Sequence, residues 1–118
     1  MDKMNAINEA GLYRLRSNNT ATASSGAATL NRPSGKVTSE SLTTAAAAEY
    51  TLTLTNSMAE AADIVLWSVG NGTNSGGTPG CGGATPAAGS VVFTVTNLHA
   101  SSAFNGTIVV SYELVKTK

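Results

Sequence analysis

One cysteine, one histidine and seven acidic side chains are what this chain of 118 residues offers for metal, nucleophilic or acid–base chemistry. Cys81 lies in Gly80-Cys81-Gly82-Gly83, with no second Cys and no His beside it. It reads as a loop residue. A structural zinc needs about four N or S ligands. Cys81 and His99 cannot supply them, so no metal site is expected, and a lone Cys forms no intrachain disulfide. His99 has no carboxylate or Ser nucleophile evidently placed beside it and reads as structural. Glu40, Glu49, Glu60, Asp63 and Glu113 are scattered along the chain. Glycoside hydrolysis needs two carboxylates across a cleft, and no spacing here suggests such a pair. The Gly-rich stretch from Gly70 to Gly89 contains no lysine and no helix follows it, whereas a phosphate loop needs Gly-x-x-x-x-Gly-Lys-Ser/Thr opening a helix. No cofactor and no enzymatic activity are expected.

Composition narrows the function further. Charged residues make up 12% of the chain and the net charge is zero. That is about half the usual share of charge for a soluble domain. No basic patch points to nucleic acid, and no run approaches the ~20 apolar residues of a membrane span. The opening Met1-Asp2-Lys3-Met4-Asn5 is followed by no apolar run, so no secretory signal is expected and the chain should fold in a cytoplasm. A surface of Thr, Ser, Asn and Gly with no net charge does little to repel copies of itself. The alternative is that low charge is a habit of the genome. The length fits one domain that buries roughly two thirds of its unfolded surface.

The elements that would position these residues are strands. Tyr50-Thr51-Leu52-Thr53-Leu54-Thr55-Asn56 alternates strictly, so Tyr50, Leu52 and Leu54 point one way and the threonines the other. Val91-Val92-Phe93-Thr94-Val95-Thr96-Asn97 repeats the pattern, and both runs end in Thr-Leu/Val-Thr-Asn. Each precedes another β run, Asp63–Val69 or Thr107–Val115. The two equivalent pairs are expected to face each other across a core. In the last run Ile108, Val110, Tyr112 and Leu114 share a face. Asp63–Val69 is apolar on both faces, which predicts a central, well-covered strand. Trp67 within it fills the core or caps one end of it; the other reading is a sugar-stacking platform. Lys36–Thr44 is a weak strand after the turn Asn31-Arg32-Pro33-Ser34-Gly35. Ala45–Ala48 is helix-favouring but too short to nucleate one, and reads as a bend. Residues 70–89 form the longest irregular stretch, either an apical contact loop or a short hairpin around Thr78–Ala84. Six to eight short strands separated by turn signals predict an all-β, antiparallel β-sandwich of jelly-roll or Greek-key type.

The opening differs from the rest. Ser17–Ala28 contains no large apolar residue and cannot bury enough to fold alone. Residues 1–28 are therefore expected to be an extended arm, with the sandwich over 29–118. Met4, Ile7, Leu12, Tyr13 and Leu15 favour an arm that docks on a partner over one that frays. Arg14 and Arg16 would pair with acidic residues there or face water. Leu12-Tyr13-Arg14-Leu15-Arg16 alternates as a short strand.

The order Lys36-Val37-Thr38-Ser39-Glu40-Ser41-Leu42-Thr43-Thr44, Tyr50 to Asn56, Asn71-Gly72-Thr73-Asn74, Thr85-Pro86-Ala87-Ala88-Gly89-Ser90, Asn97-Leu98-His99-Ala100 and Asn105-Gly106-Thr107 resembles small β-sandwich structural proteins of tailed-bacteriophage virions. The resemblance covers residues 29–115 and rests on turn and strand residues. Within that group it implies a capsid decoration, or cement, protein on the virion surface, assembled in the host cytoplasm. Its expected partners are the major capsid protein and copies of itself, as a dimer or trimer. Neither nucleic acid nor membrane is implied. The other reading is a receptor- or sugar-binding module of a tail fibre or spike, using the 70–89 loop. That loop contains no aromatic residue.

Overall fold

Alternation decides the centre of the structure. On the strand Glu49–Thr55, Tyr50, Leu52 and Leu54 are buried and every intervening residue is exposed. On Ser90–Asn97 the buried set is Val91, Phe93, Val95 and Asn97, and on Ile108–Val115 it is Ile108, Val110, Tyr112 and Leu114. The computed structural model describes residues 19–118. They form eight strands, β1 (Thr20–Thr22), β2 (Ala27–Thr29), β3 (Ser34–Thr38), β4 (Glu49–Thr55), β5 (Ile64–Asn71), β6 (Pro79–Ala87), β7 (Ser90–Asn97) and β8 (Ile108–Val115). The fold is all-β: two four-stranded sheets, β1-β3-β8-β5 and β2-β4-β7-β6, pack as a sandwich.

Every link between consecutive strands crosses from one sheet to the other except the β6–β7 hairpin. That rule corrects the expectation of purely antiparallel sheets. A chain that zigzags between two layers brings β3 back beside β1, and β4 back beside β2, in the same direction. Both pairs are parallel. It also corrects the expected placing of the repeat. β4 and β7 lie side by side in one sheet, and their successors β5 and β8 lie side by side in the other.

Three further expectations change. Among the described residues β5 is an edge strand, not a central one, and Ile64 and Leu66 on it are 51% and 53% exposed. Pro79–Ala87, read as loop or short hairpin, is a nine-residue strand and carries Cys81. Its glycines are held in line by the β7 ladder, with one bulge between Cys81 and Gly83. The tight turn Ala88-Gly89 closes that hairpin, and Gly89 takes a φ of +84° that favours glycine. The polar stretch before residue 29 is part of the sandwich from Asn19 onward. β1 and β2 are three residues each and add to the two sheets through backbone hydrogen bonds, which need no large side chain. Ala23, Ala28 and Leu30 are buried where this segment crosses between the layers. Residues 1–18, including Met4, Ile7, Leu12, Tyr13, Arg14, Leu15 and Arg16, lie outside the described residues.

The Asn that ends each repeat has a physical reason. Asn56 and Asn97 are fully buried at opposite ends of the sandwich. Each Oδ1 accepts from the backbone N–H two residues on, Met58 at 3.0 Å and His99 at 3.1 Å. This Asx geometry turns the chain out of one sheet toward the other. Each Nδ2 then holds a neighbouring segment. Asn56 donates to Arg32 O at 2.7 Å and to the Tyr112 hydroxyl at 3.2 Å. Tyr112 itself donates to Arg32 O at 2.9 Å. Burial pushes the Tyr112 phenol up to about 12, so it stays a donor across the physiological range.

Candidate interaction surface

The groups that could do chemistry are mostly engaged in holding the fold. Glu40 accepts from the Tyr50 hydroxyl at 2.9 Å, and burial followed by this carboxylate raises the Tyr50 pKa well above its ordinary value. His99 Nδ1 accepts from the Ser101 and Ser102 backbone N–H groups at 3.0 and 2.9 Å, which ties down its loop. Cys81 Sγ lies 3.9 Å from Trp67 O, across the gap between β6 and β5, and burial pushes its thiol up. A thiol so raised is a poor nucleophile at neutral pH. Among the described residues no three His, Cys, Asp or Glu side chains come together as a metal site.

The 72–78 loop, one expected place for a contact, is stitched down. Asn105 Oδ1 accepts from Ser75 N and Gly76 N at 2.7 and 2.9 Å, and Asn74 Oδ1 accepts from Asn105 N at 2.8 Å. Thr73 and Thr107 exchange bonds beside them at 2.9 Å. Phe104, 2% exposed, plugs the core beneath this loop.

At the opposite end Lys116 Nζ lies 2.8 Å from Asp63 Oδ2 and 3.4 Å from Glu60 Oε1, and it also donates to Met58 O. The hydrogen bond from Lys116 holds the Asp63 carboxyl below its usual range, and Asp63 in turn raises the Lys116 pKa. A carboxyl depressed in the fold stabilises it above the unfolded pKa, about 3.9, and that contribution is lost as pH falls through the lower folded value. Lys116, raised, stabilises below its unfolded pKa and loses that contribution as pH rises through the folded one. Lys116→Met should therefore reduce stability at pH 7 and flatten the acid limb. Urea midpoints at pH 7 and pH 3 check this: the wild type should lose more between the two than the variant does.

What remains free is apolar surface along β5. Ile64, Leu66 and Ser68 point outward, and Val65, Trp67 and Val69 point inward and are half-buried. On β8, Val115 is paired opposite Ile64 and Glu113 opposite Leu66, so these four share the outer face. Met58, 43% exposed, lies at the same end, and Leu98, 64% exposed, at the other. Strand register assigns the backbone as well. Gly72 N donates to Thr107 O on the β8 side, so by the two-residue period Ile64, Leu66, Ser68 and Gly70 bond to β8. Val65, Trp67 and Val69 turn their N–H and C=O groups to the open edge. The Trp67 indole packs against Phe93 with ring centroids 5.0 Å apart and planes tilted by 59°, so it caps the core at its edge.

Compared with known protein families, curated proteins and solved structures, the chain has no significant match.

The sequence marked Ile64 and Leu66 as apolar but not as exposed. An apolar run reads the same whether its outer face is covered by its own chain or by another molecule. No local signal separates the two, because the strand order is fixed by contacts far apart in sequence.

Proposed function

We propose that this chain is a bacteriophage capsid decoration protein that binds the outer surface of the major capsid shell and stabilises it by bridging subunits. One observation carries the reading: an otherwise polar, low-charge sandwich leaves Ile64 and Leu66 about half exposed on one face, beside Val115. Large apolar side chains grouped on a surface favour an interface. The chemically capable side chains around them serve the fold, which suits a protein that acts by position. The leading arm supplies the bridge to a neighbouring subunit or copy. A sandwich tied at both ends by buried amides suits a part that must not deform under load.

The test is co-sedimentation with shells lacking the protein. Wild type should bind at a copy number on the scale of shell subunits. Ile64→Asp combined with Leu66→Asp should weaken binding by about a hundredfold or more, given roughly 1.5–3 kcal/mol for each large apolar side chain buried. Both side chains point away from the core, so circular dichroism should be unchanged. Undiminished binding by the double variant would remove this face from the interface.

A further inference from the structure

The two long sides of the sandwich are closed differently. On one side the chain itself crosses between the layers from β1 to β2, and Ala23 and Ala28 are buried there. On the other side β5 and β6 are the edges of their sheets; among the described residues β5 has a ladder partner only in β8, and Cys81 Sγ of β6 reaches Trp67 O at 3.9 Å. Five half-buried apolar residues pack on the core, and four of them, Val65, Trp67, Val69 and Ala84, line this second side. The facing wall is made of small residues, Cys81 to Ala84. The core is thus only half-covered along a seam where, among the described residues, the backbone groups of Val65 and Val69 and the Trp67 N–H have no strand partner, while Trp67 O faces Cys81 Sγ at 3.9 Å. A long apolar edge of this kind is a template for another strand.

We propose that this edge takes the run Leu12-Tyr13-Arg14-Leu15-Arg16 of a second copy of the chain as an added strand. The alternation fits the seam. With Tyr13 and Leu15 turned inward they cover Trp67 and its neighbours, and Arg14 and Arg16 then point outward beside Ile64 and Leu66. Exposed Glu113 lies on that outer face one strand further in. Charge agrees with this placement: residues 19–118 carry one more carboxylate than cation, and residues 1–18 carry one more cation than carboxylate.

Reach decides which copy provides the strand. Asn19 O accepts from Lys36 N, so Asn19 continues the β1 ladder at the edge opposite β5. A strand added beyond β5 lies four strand spacings away, about 19 Å. Three residue steps separate Asn19 from Arg16, and fully extended they span about 10–11 Å. The run therefore cannot lie along its own β5, whereas a neighbour's edge carries no such limit. This inference stands without the capsid reading, since it concerns only how copies meet.

Two variants of the full chain test it together. Tyr13→Asp with Leu15→Asp removes the donor and leaves the edge intact. Val69→Pro removes an edge N–H that faces away from β8, a place where proline is tolerated in an edge strand, and leaves the donor intact. By sedimentation velocity the wild type should self-associate. Each variant alone should be monomeric, with association weakened by about a hundredfold or more. An equimolar mixture of the two should form a one-to-one complex. Trp67, the single tryptophan, gives a second readout: its emission should shift to the blue on mixing, as the added strand shields the indole. The Asp variant changes no side chain of the described strands, so full self-association by it overturns the proposal even if Val69→Pro fails to fold. A wild type that stays monomeric also overturns it, including one whose Trp67 becomes shielded only on capsid shells, which would assign the edge to the shell.

Discussion

Asn97→Ala should destabilise the chain by roughly 3–5 kcal/mol, a large part of the 5–15 kcal/mol that holds an ordinary domain together. The side chain is fully buried. Its Oδ1 accepts from Thr78 N at 3.0 Å and His99 N at 3.1 Å. Its Nδ2 donates to Ser102 O at 2.9 Å and Thr44 O at 3.2 Å, with Ala45 O sharing at 3.3 Å. One amide thus holds four segments: the bend before β4, the entry to β6, the exit of β7 and the loop to Phe104. Alanine leaves Thr78 N, His99 N and Ser102 O without this partner, at about 1–3 kcal/mol for each buried group so left, while Thr44 O and Ala45 O keep bonds from Phe104 N and Ala48 N. The full sum is not expected, because the loop can shift to admit water. Urea unfolding checks the value, and an unchanged m-value would show that stability moved rather than the extent of the denatured chain. Asn56→Ala should cost less. Only one backbone group, Met58 N, loses its partner there, since Arg32 O keeps the bond from Tyr112.

These two amides show how far the sequence could be read. The repeated Thr-Leu/Val-Thr-Asn was visible, and the alternation before it gave β4 and β7 nearly to the residue. The same holds for β8, whose four inward residues are all buried. In each case one face is covered and the other is not, and that contrast is written into the order of side chains. β5 lacks the contrast, since Ile64, Val65, Leu66 and Trp67 are apolar on both faces, and its edge position follows from a strand order set by long-range pairing. β6 lacks it for the opposite reason. Gly80, Gly82 and Gly83 carry no pattern, and the strand exists because β7 offers a ladder through a two-residue turn. β1 and β2 are short runs of Thr and Ala whose pairing is a matter of backbone alone. The candidate surface suffered most from this. Its backbone donors and its outward side chains belong to β5, a strand whose neighbours the sequence could not assign. The arm residues proposed as a partner for it were visible as an alternating run, and the place they fit was not.

Phe93→Ala should cost about 3–5 kcal/mol, the range for truncating a buried aromatic residue. Phe93 is fully buried on β7, a central strand, and is paired opposite Leu52 on β4 and Ala84 on β6. Its ring lies between Trp67 at 5.0 Å and Tyr112 at 6.1 Å, centroid to centroid, tilted 59° and 49°. The three aromatics connect the sheets under the open seam, since Phe93 belongs to one layer and Trp67 and Tyr112 to the other. Small Ala84 beside the gap cannot fill it, so the cavity should persist and the cost should fall in the upper part of the range. Phe93→Leu keeps most of the volume and should cost closer to 1 kcal/mol. A double-mutant cycle of Phe93→Leu with Trp67→Leu isolates the ring pair, which should contribute about 0.5–1.5 kcal/mol beyond area. The cycle is also informative about function. Trp67 is positioned by Phe93 from below and left half-open above, so Phe93→Ala should loosen the indole, redden its emission and weaken whatever association the β5 edge supports. A variant that lost stability while keeping full association at that edge would show that the seam does not depend on the aromatic packing beneath it.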